Sequence, residues 1–162
     1  MQCIASIQKK HLQIKTLIIM AAQIPIILNI DEMSFKEKKR EVATFTMTFN
    51  QSTDMEGQVT GIVRGGKITM RLKALNDGNA DFQSWMMDNK RACKGNILFY
   101  NTTNGVLMKT YVFEDAYCVD YEEHWEDDIY SPPIAHWEEI TISCRKITNG
   151  PANFENTWNL VE

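Results

Sequence analysis

The residues best suited to chemistry gather in the C-terminal half of the chain. Glu122, Glu123, Glu126, Asp127 and Asp128 surround His124, and paired carboxylates across a cleft are how β-scaffold glycosidases work. A hydrolase built here would use Glu122 or Asp128. Calcium binding would need oxygen ligands at alternate positions around a turn glycine, and this stretch has no glycine. The run therefore reads as the solvated end of a strand beside Pro132 and Pro133. The triplets His124-Trp125-Glu126 and His136-Trp137-Glu138 flank the same loop. On neighbouring antiparallel strands their histidines could approach each other. A metal wants three or four convergent ligands, however, and a cross-strand aromatic pair needs less.

Two further patterns invite chemistry and do not support it. Val63-Arg64-Gly65-Gly66-Lys67 lacks the GxxxxGK[ST] signature and leads into a strand rather than a helix. Its glycines mark a place where the backbone bends or is closely approached. Cys3, Cys93, Cys118 and Cys144 are widely separated, with no CxxC. Cys118 and Cys144 lie in alternating apolar stretches and read as buried free thiols, in keeping with folding in a reducing compartment. No nucleophile elbow or Cys–His arrangement is present. The residues imply no enzyme, no cofactor and no metal.

Composition narrows the classes further. At 162 residues the chain has the length of one domain, able to bury a core without staples. It is 44% hydrophobic with a net charge of −4, which argues against a nucleic-acid partner, since that affinity rests on clustered Lys and Arg. No apolar run is long enough to insert in a membrane.

The elements that must position these residues are mostly strands. Ile24–Ile30 reads as the first strand and Asp31–Lys39 as a polar turn. Over Glu41–Gln51, Ala43, Phe45, Met47 and Phe49 alternate with Thr44, Thr46, Thr48 and Asn50, the period of a half-buried strand. Asp54 to Gly66, with Gly57, Gly61, Gly65 and Gly66, reads as a long mobile loop. Gly66–Leu75 alternates again, Ile68, Met70, Leu72 and Ala74 against Lys67, Thr69, Arg71 and Lys73. One helix follows, capped by Asn79 or Asp81, with Phe82, Trp85 and Met86 on its apolar face and Asn89, Lys90 and Arg91 closing it. Further strands are expected at Gly95–Tyr100, Val106–Phe113, Ala116–Trp125 and Ala135–Ile147, with a tight hairpin at Asn104-Gly105. The sum is a mainly β domain, a small two-sheet β-barrel with one short flanking helix.

The N-terminus has the outline of a targeting segment. Lys9, Lys10 and Lys15 precede an apolar run at Leu17–Ala22, but Gln23 and Pro25 interrupt it and no cleavage motif follows. Residues 1–20 read instead as a poorly ordered extension, or as upstream of a start at Met20. The domain is taken as residues 21–162.

Four segments stand out together: Val63–Thr69, the helix Phe82–Asp88, Gly95–Tyr100, and Met108–Val119 with its FEDAYCV core, continued by Asn156 and Trp158. In this order and spacing they resemble the haemolysin-coregulated tube protein family (Hcp, TssD) of type VI secretion systems, in its Bacteroidetes form. The likeness spans about Ile24 to Trp158. The family positions it marks are Phe82, Trp85, Met86, Phe113, Glu114, Asp115, Tyr117 and Trp158. The resemblance implies a homo-hexameric ring, stacking of rings into a hollow tube, and enclosure by a sheath with a spike and baseplate. It also implies assembly in the cytoplasm and expulsion from the cell, with effectors, when the sheath contracts. It makes the loop after the second strand, with Asp54, Gly57, Gly61, Arg64, Gly65 and Gly66, an assembly and stacking contact, although here the loop is the shorter QSTDMEGQVTGIV. A carbohydrate- or peptide-binding sandwich using Trp125, Asp127, Tyr130 and Trp137 is the alternative that the residues alone leave open.

Overall fold

The computed structural model describes residues 26–34, 39–75, 77–126 and 135–158. In chain order these form β1 (Ile26–Ile30), β2 (Arg40–Asn50), β3 (Arg64–Lys73), α1 (Asp81–Met87), β4 (Cys93–Tyr100), β5 (Leu107–Glu126), β6 (Ala135–Asn149) and β7 (Ala152–Glu155). All seven strands belong to one antiparallel sheet, ordered β3-β2-β1-β4-β5-β6-β7, and a further β3–β6 pairing closes six of them into a ring. The mainly β architecture with one short helix is as expected. The signal-peptide outline, Met20, Cys3, Pro132 and Pro133 lie outside the described residues.

Alternation sets which side chains enter the ring. Leu28, Ile30, Ile68, Met70, Leu72, Ile97, Phe113, Ile140 and Ile142 are fully buried inside it. Removing each such side chain from water contributes roughly 1.5–3 kcal/mol. Phe45, Phe99 and Tyr111 form a mutually packed aromatic group, with ring centroids 5.1, 5.6 and 5.7 Å apart. The thiols of Cys93, Cys118 and Cys144 are buried and free. Burial pushes them up to about 11, about 11 and about 12 respectively, so they are unreactive thiols at neutral pH.

Three of the five register shifts in the described ladders bear on the simple alternation. The register shifts between Val42 and Thr44, so Val42 points inward and Ala43 is exposed, although strict alternation groups Ala43 with Phe45. A second shift lies between Cys118 and Asp120. The third, opposite Lys94, falls where two strands were expected. They are one 20-residue strand, β5, bent at Asp115, whose φ is +48°. An added residue strengthens twist and bends the strand without breaking it. The Asn104-Gly105 turn is also broader than a two-residue hairpin. Asn101 N donates to Val106 O and Gly105 N to Asn101 O, closing a loop over 101–106. β7, for which the sequence pattern gives no sign, lies along β6 after the turn at Gly150 and continues the line of β3.

The helix closes one end of the ring. Phe82 and Trp85 are buried, whereas Met86 is only partly covered, 38% exposed. The N-cap residue is Ala80, whose side chain cannot cap; Asn79 Oδ1 accepts from the Asp81 backbone instead. The helix ends at Met87 with no base in its last turn, so Arg91 acts differently from expectation, its carbonyl accepting from the Trp85 indole at 2.9 Å. Beneath the helix, Arg40 is almost wholly buried, stacked on Phe82 and paired with buried Glu138.

A buried pair is expensive to break because one charge is then stranded. Arg40→Ala should therefore lower the unfolding free energy by about 3–5 kcal/mol in urea titration, whereas Arg40→Met with Glu138→Met should recover most of that loss. Asp81 carries a pH-dependent share. Burial alone would raise its carboxyl, but hydrogen bonds from Asn79 and Ser34 outweigh that and hold it below the usual range. A depressed folded value means its contribution is complete above pH of about 4 and lost as pH falls below it. Asp81→Asn should accordingly flatten the acid limb of a stability-versus-pH curve.

Candidate functional site

The most distinctive feature of the surface is the connection from β2 to β3. It is not structureless. Thr53 and Val59 form a bridge, Asp54 N donates to Gln58 O and Thr60 N to Ser52 O. The Asp54 carboxylate accepts from the backbone of Glu56 and Gln58 at 3.0 and 2.8 Å, locking the turn in which Gly57 adopts φ +84°. The result is a hairpin projecting from the ring. Its apolar residues face water: Met55 is fully exposed, and Ile62 and Val59 are 71% and 60% exposed. Leaving several large apolar side chains in solvent on an ordered arm is the signature of a covered surface in an assembly. Sequence reasoning singles out the polar and glycine residues of this loop and misses these three. The available signal is the presence of apolar residues inside a turn-rich stretch.

The expected loop residues divide into two groups. Asp54, Gly57 and Gly61 belong to the hairpin, Gly61 packing on Ser52. Arg64, Gly65 and Gly66 instead begin β3 and sit in the ring wall. A Cβ on Gly65 would come 2.5 Å from Phe49 and 2.6 Å from Thr48 O. At Gly66, which is buried with φ +82°, it would come 2.9 Å from Cys144 O, Phe154 and Asn156. Asn156 Nδ2 donates to Cys144 O and Gly65 O, sealing the junction where β3 leaves β6 and β7 takes over.

The family-motif positions are structural. Phe113 packs over Gly95, where a side chain would meet Asn29 O at 2.1 Å. Glu114 pairs with Lys146 and Asp115 with Arg145, which also holds Glu155. Tyr117 and Trp158 are ring neighbours at 6.0 Å. Phe82 and Trp85 fill the helix–ring interface, while Met86 faces outward.

The two ends of the ring differ. At the helix end a recess of about 220 Å³ is lined by Arg40, Asp77, Asn79, Glu123, Trp125 and His136. His136 hydrogen-bonds Glu123 at 2.8 Å, and that bond holds the Glu123 carboxyl below the usual carboxylate range, with Trp125 adding a second. Tyr121, partly buried and bonded to both Glu123 and Glu138, is pushed far above its ordinary value by desolvation and by those two carboxylates. The His-Trp pairs interleave. His124 stacks on Trp137 at 4.6 Å and His136 on Trp125 at 3.5 Å, on opposite faces of the β5–β6 ladder. The histidines thus do not converge, and no group of three metal ligands occurs among the described residues. Arg71 also lies 4.1 Å over Trp137, so that ring already has two partners and is poorly placed to stack a sugar. Asp127, Asp128 and Tyr130 lie outside the described residues; Glu122 is exposed on a strand, opposite Glu139. The other end is an apolar cleft of about 280 Å³ beside the hairpin's base.

A closed antiparallel ring with a buried ion pair used as packing and an exposed apolar arm defines the class as a compact β-ring domain capped by one helix. A family model described as Hemolysin coregulated protein Hcp (TssD) matches residues 13–159, and the chain belongs to that family, whose members are structural tube proteins of type VI secretion and not enzymes. The match starts upstream of Ile24. Among solved structures, Hcp1 from Flavobacterium johnsoniae is similar at TM-score 0.70 and 25% identity, covering 82% of this chain and 99% of that one. A variant of Hcp1 from the E. coli EAEC 042 pathovar is similar at TM-score 0.61 and 16% identity, covering 84% and 100%. The sheath-tube complex of an extracellular contractile injection system, PVC, shares the fold at TM-score 0.52 and 15% identity, covering 78% and 88%. No curated protein matches the chain.

The relocation of the glycines changes what their substitution does. Gly66→Val should cost more than about 3 kcal/mol, because the left-handed backbone and the collision with Cys144 O add. Gly57→Ala, in open space, should cost only about 1–2 kcal/mol. Thermal unfolding of the two variants checks the ordering.

Proposed function

We propose that this chain is the repeating unit of a secretion tube: six copies close into a ring, rings stack into a hollow tube, and sheath contraction expels the tube with its effector cargo. Family membership carries this reading, and the exposed apolar hairpin supports it, since a lone subunit would gain nothing from presenting Met55 and Ile62 to water. A cyclic ring requires two different surfaces that meet after a fixed rotation. The ring of strands already pairs most of its own backbone, so side chains and loops supply those surfaces. Assembly takes place in the cytoplasm, with the sheath, spike and baseplate as further partners, and the tube ends outside the cell. Residues 21–162 form the working domain and residues 1–20 an extension to it. Outward Thr44, Thr46, Thr48, Thr69 and Thr141 make a hydroxyl-rich band across β2, β3 and β6, with Thr69 and Thr141 hydrogen-bonded at 2.9 Å. Such a band suits a wet lumen.

Electron microscopy of the purified protein lacking residues 1–20 should show rings of six-fold symmetry, with stacked tubes at high concentration. Light scattering that reports a strict monomer at every concentration would remove the proposal.

A further inference from the structure

The segment Val63-Arg64-Gly65-Gly66-Lys67 lacks the phosphate-loop signature, yet its fold builds a different kind of site. Strict alternation would send Arg64 and Lys67, three residues apart, to opposite faces of β3. The ladder prevents this. Thr48 stands opposite Lys67 but Phe49 stands opposite Gly65, so Gly66 is an extra residue in β3. Its backbone takes φ +82°, and the bulge turns Arg64 onto the face that holds Lys67. Thr48 and Asn50, the ladder partners of Lys67 and Arg64, share that face because they are two residues apart. All four side chains are exposed, and with Gly65 they line a recess of about 260 Å³ on the outside of the ring.

The charge of the recess sets it apart. Arg71, Lys73, Lys94, Arg145 and Lys146 each hold a carboxylate. Arg64 and Lys67 hold none among the described residues, and no acidic residue lines the space between them. The Gly65 carbonyl oxygen is taken up by Asn156 Nδ2 at 3.3 Å. Two like charges on one patch of a sheet repel each other, and a bound anion would remove that cost.

We propose that this recess binds a phosphate group, either as free phosphate or as the monoester of a small molecule. The donors suit a tetrahedral oxyanion. The Arg64 guanidinium offers a planar fork for two oxygens and the Lys67 ammonium a point charge for a third, while the Thr48 hydroxyl and the Asn50 amide add neutral donors. A carboxylate has only two oxygens and would leave part of this set unused. At about 260 Å³ the recess lies below the ~300–1,000 Å³ of sites that enclose a whole small molecule, so it grips the charged group and leaves the rest of an ester outside. A nucleic-acid backbone is a poorer fit, because one pair of bases on a chain of net charge −4 gives no track of cations to follow. The site is complete within one chain and does not depend on ring formation.

The test is equilibrium dialysis of the full chain against inorganic phosphate and against glycerol 3-phosphate, in chloride buffer of constant ionic strength. Saturable binding of one group per chain is expected. Arg64→Gln combined with Lys67→Gln should weaken it about tenfold or more. Asn50→Asp, which puts a carboxylate into the recess, should weaken it as well. These side chains are exposed, and an unchanged circular dichroism spectrum checks that the variants fold. Stronger retention of glycerol 3-phosphate identifies an esterified group as the ligand and stronger retention of inorganic phosphate the free anion; either result supports the site. Absence of saturable binding by the folded chain overturns the proposal, and so does binding that survives intact in the double variant. Acetate that displaces phosphate at equal concentration overturns the assignment to phosphate, since a carboxylate would then satisfy the same donors.

Discussion

Everything in this subunit depends on the antiparallel pairing of β3 with β6, from Lys67 opposite Ser143 to Lys73 opposite Trp137. Without it the sheet would be an open ribbon ending at β3, with Ile68, Met70 and Leu72 exposed on one face. With it, six strands return on themselves and the inward face of each becomes core. The pairing also explains why charge can be buried. Glu138 stands opposite Leu72 on β3, an inward position, and brings its carboxylate beneath α1 to meet Arg40. The helix, with Phe82 and Trp85, then covers the pair. A polar end sealed by a helix and an apolar end left open follow from a single closure.

The closure has to be maintained where β3 runs out. β6 continues past Ser143 for several residues, and its free side there is taken by β7. The seam between β3 and β7 is sewn by Asn156 and made possible by Gly66, whose lack of a side chain lets the wall of β6 approach. Phe49 on β2 then packs against Phe154 on β7 at 4.8 Å, drawing the ends of the two strands together across the apolar cleft. The glycine pair therefore serves the subunit's own closure, and the exposed apolar hairpin lies beyond it.

Much of this is legible in the sequence, because alternation is a direct print of burial. The inward sets Ile68, Met70, Leu72 and Phe45, Met47 are readable residue by residue, as is the helix with Phe82 and Trp85. What is not legible arises from bulges and distant contacts. Ala43 looks like a core residue until one extra residue in β2 turns it out. Asp115 looks like a turn between two strands, because nothing local says that its carboxylate will be held by Arg145, thirty residues away in sequence, with the backbone left in a positive-φ bend. β7 is too short and mixed to announce itself. Its position is set by an asparagine that bonds two carbonyls of other strands. The candidate site is half legible: the β2–β3 connection stands out, but the weight falls on its glycines rather than on Met55, Val59 and Ile62.

The same closure constrains how copies can associate. In an open sheet, exposed edges would be the natural assembly surface, and uncontrolled edge pairing its hazard. Here β7 is the one strand with a single partner among the described residues, and it is four residues long. β2, however, meets β1 only over Arg40–Val42, so its remaining length is paired on the β3 side alone among the described residues. The most exposed large apolar side chains of the described surface are on the hairpin, at Val106, Leu107 and Met108 of the β4–β5 turn, and at Met87 and Trp125. That turn leads into β5 at the cleft's end of the ring, where Leu107 pairs with Tyr100. Exposed apolar side chains also stand at the other end, Met86 and Met87 on α1 with Leu75 and Trp125, among its paired charges and stacked histidines. The two ends therefore differ in charge more than in apolar content.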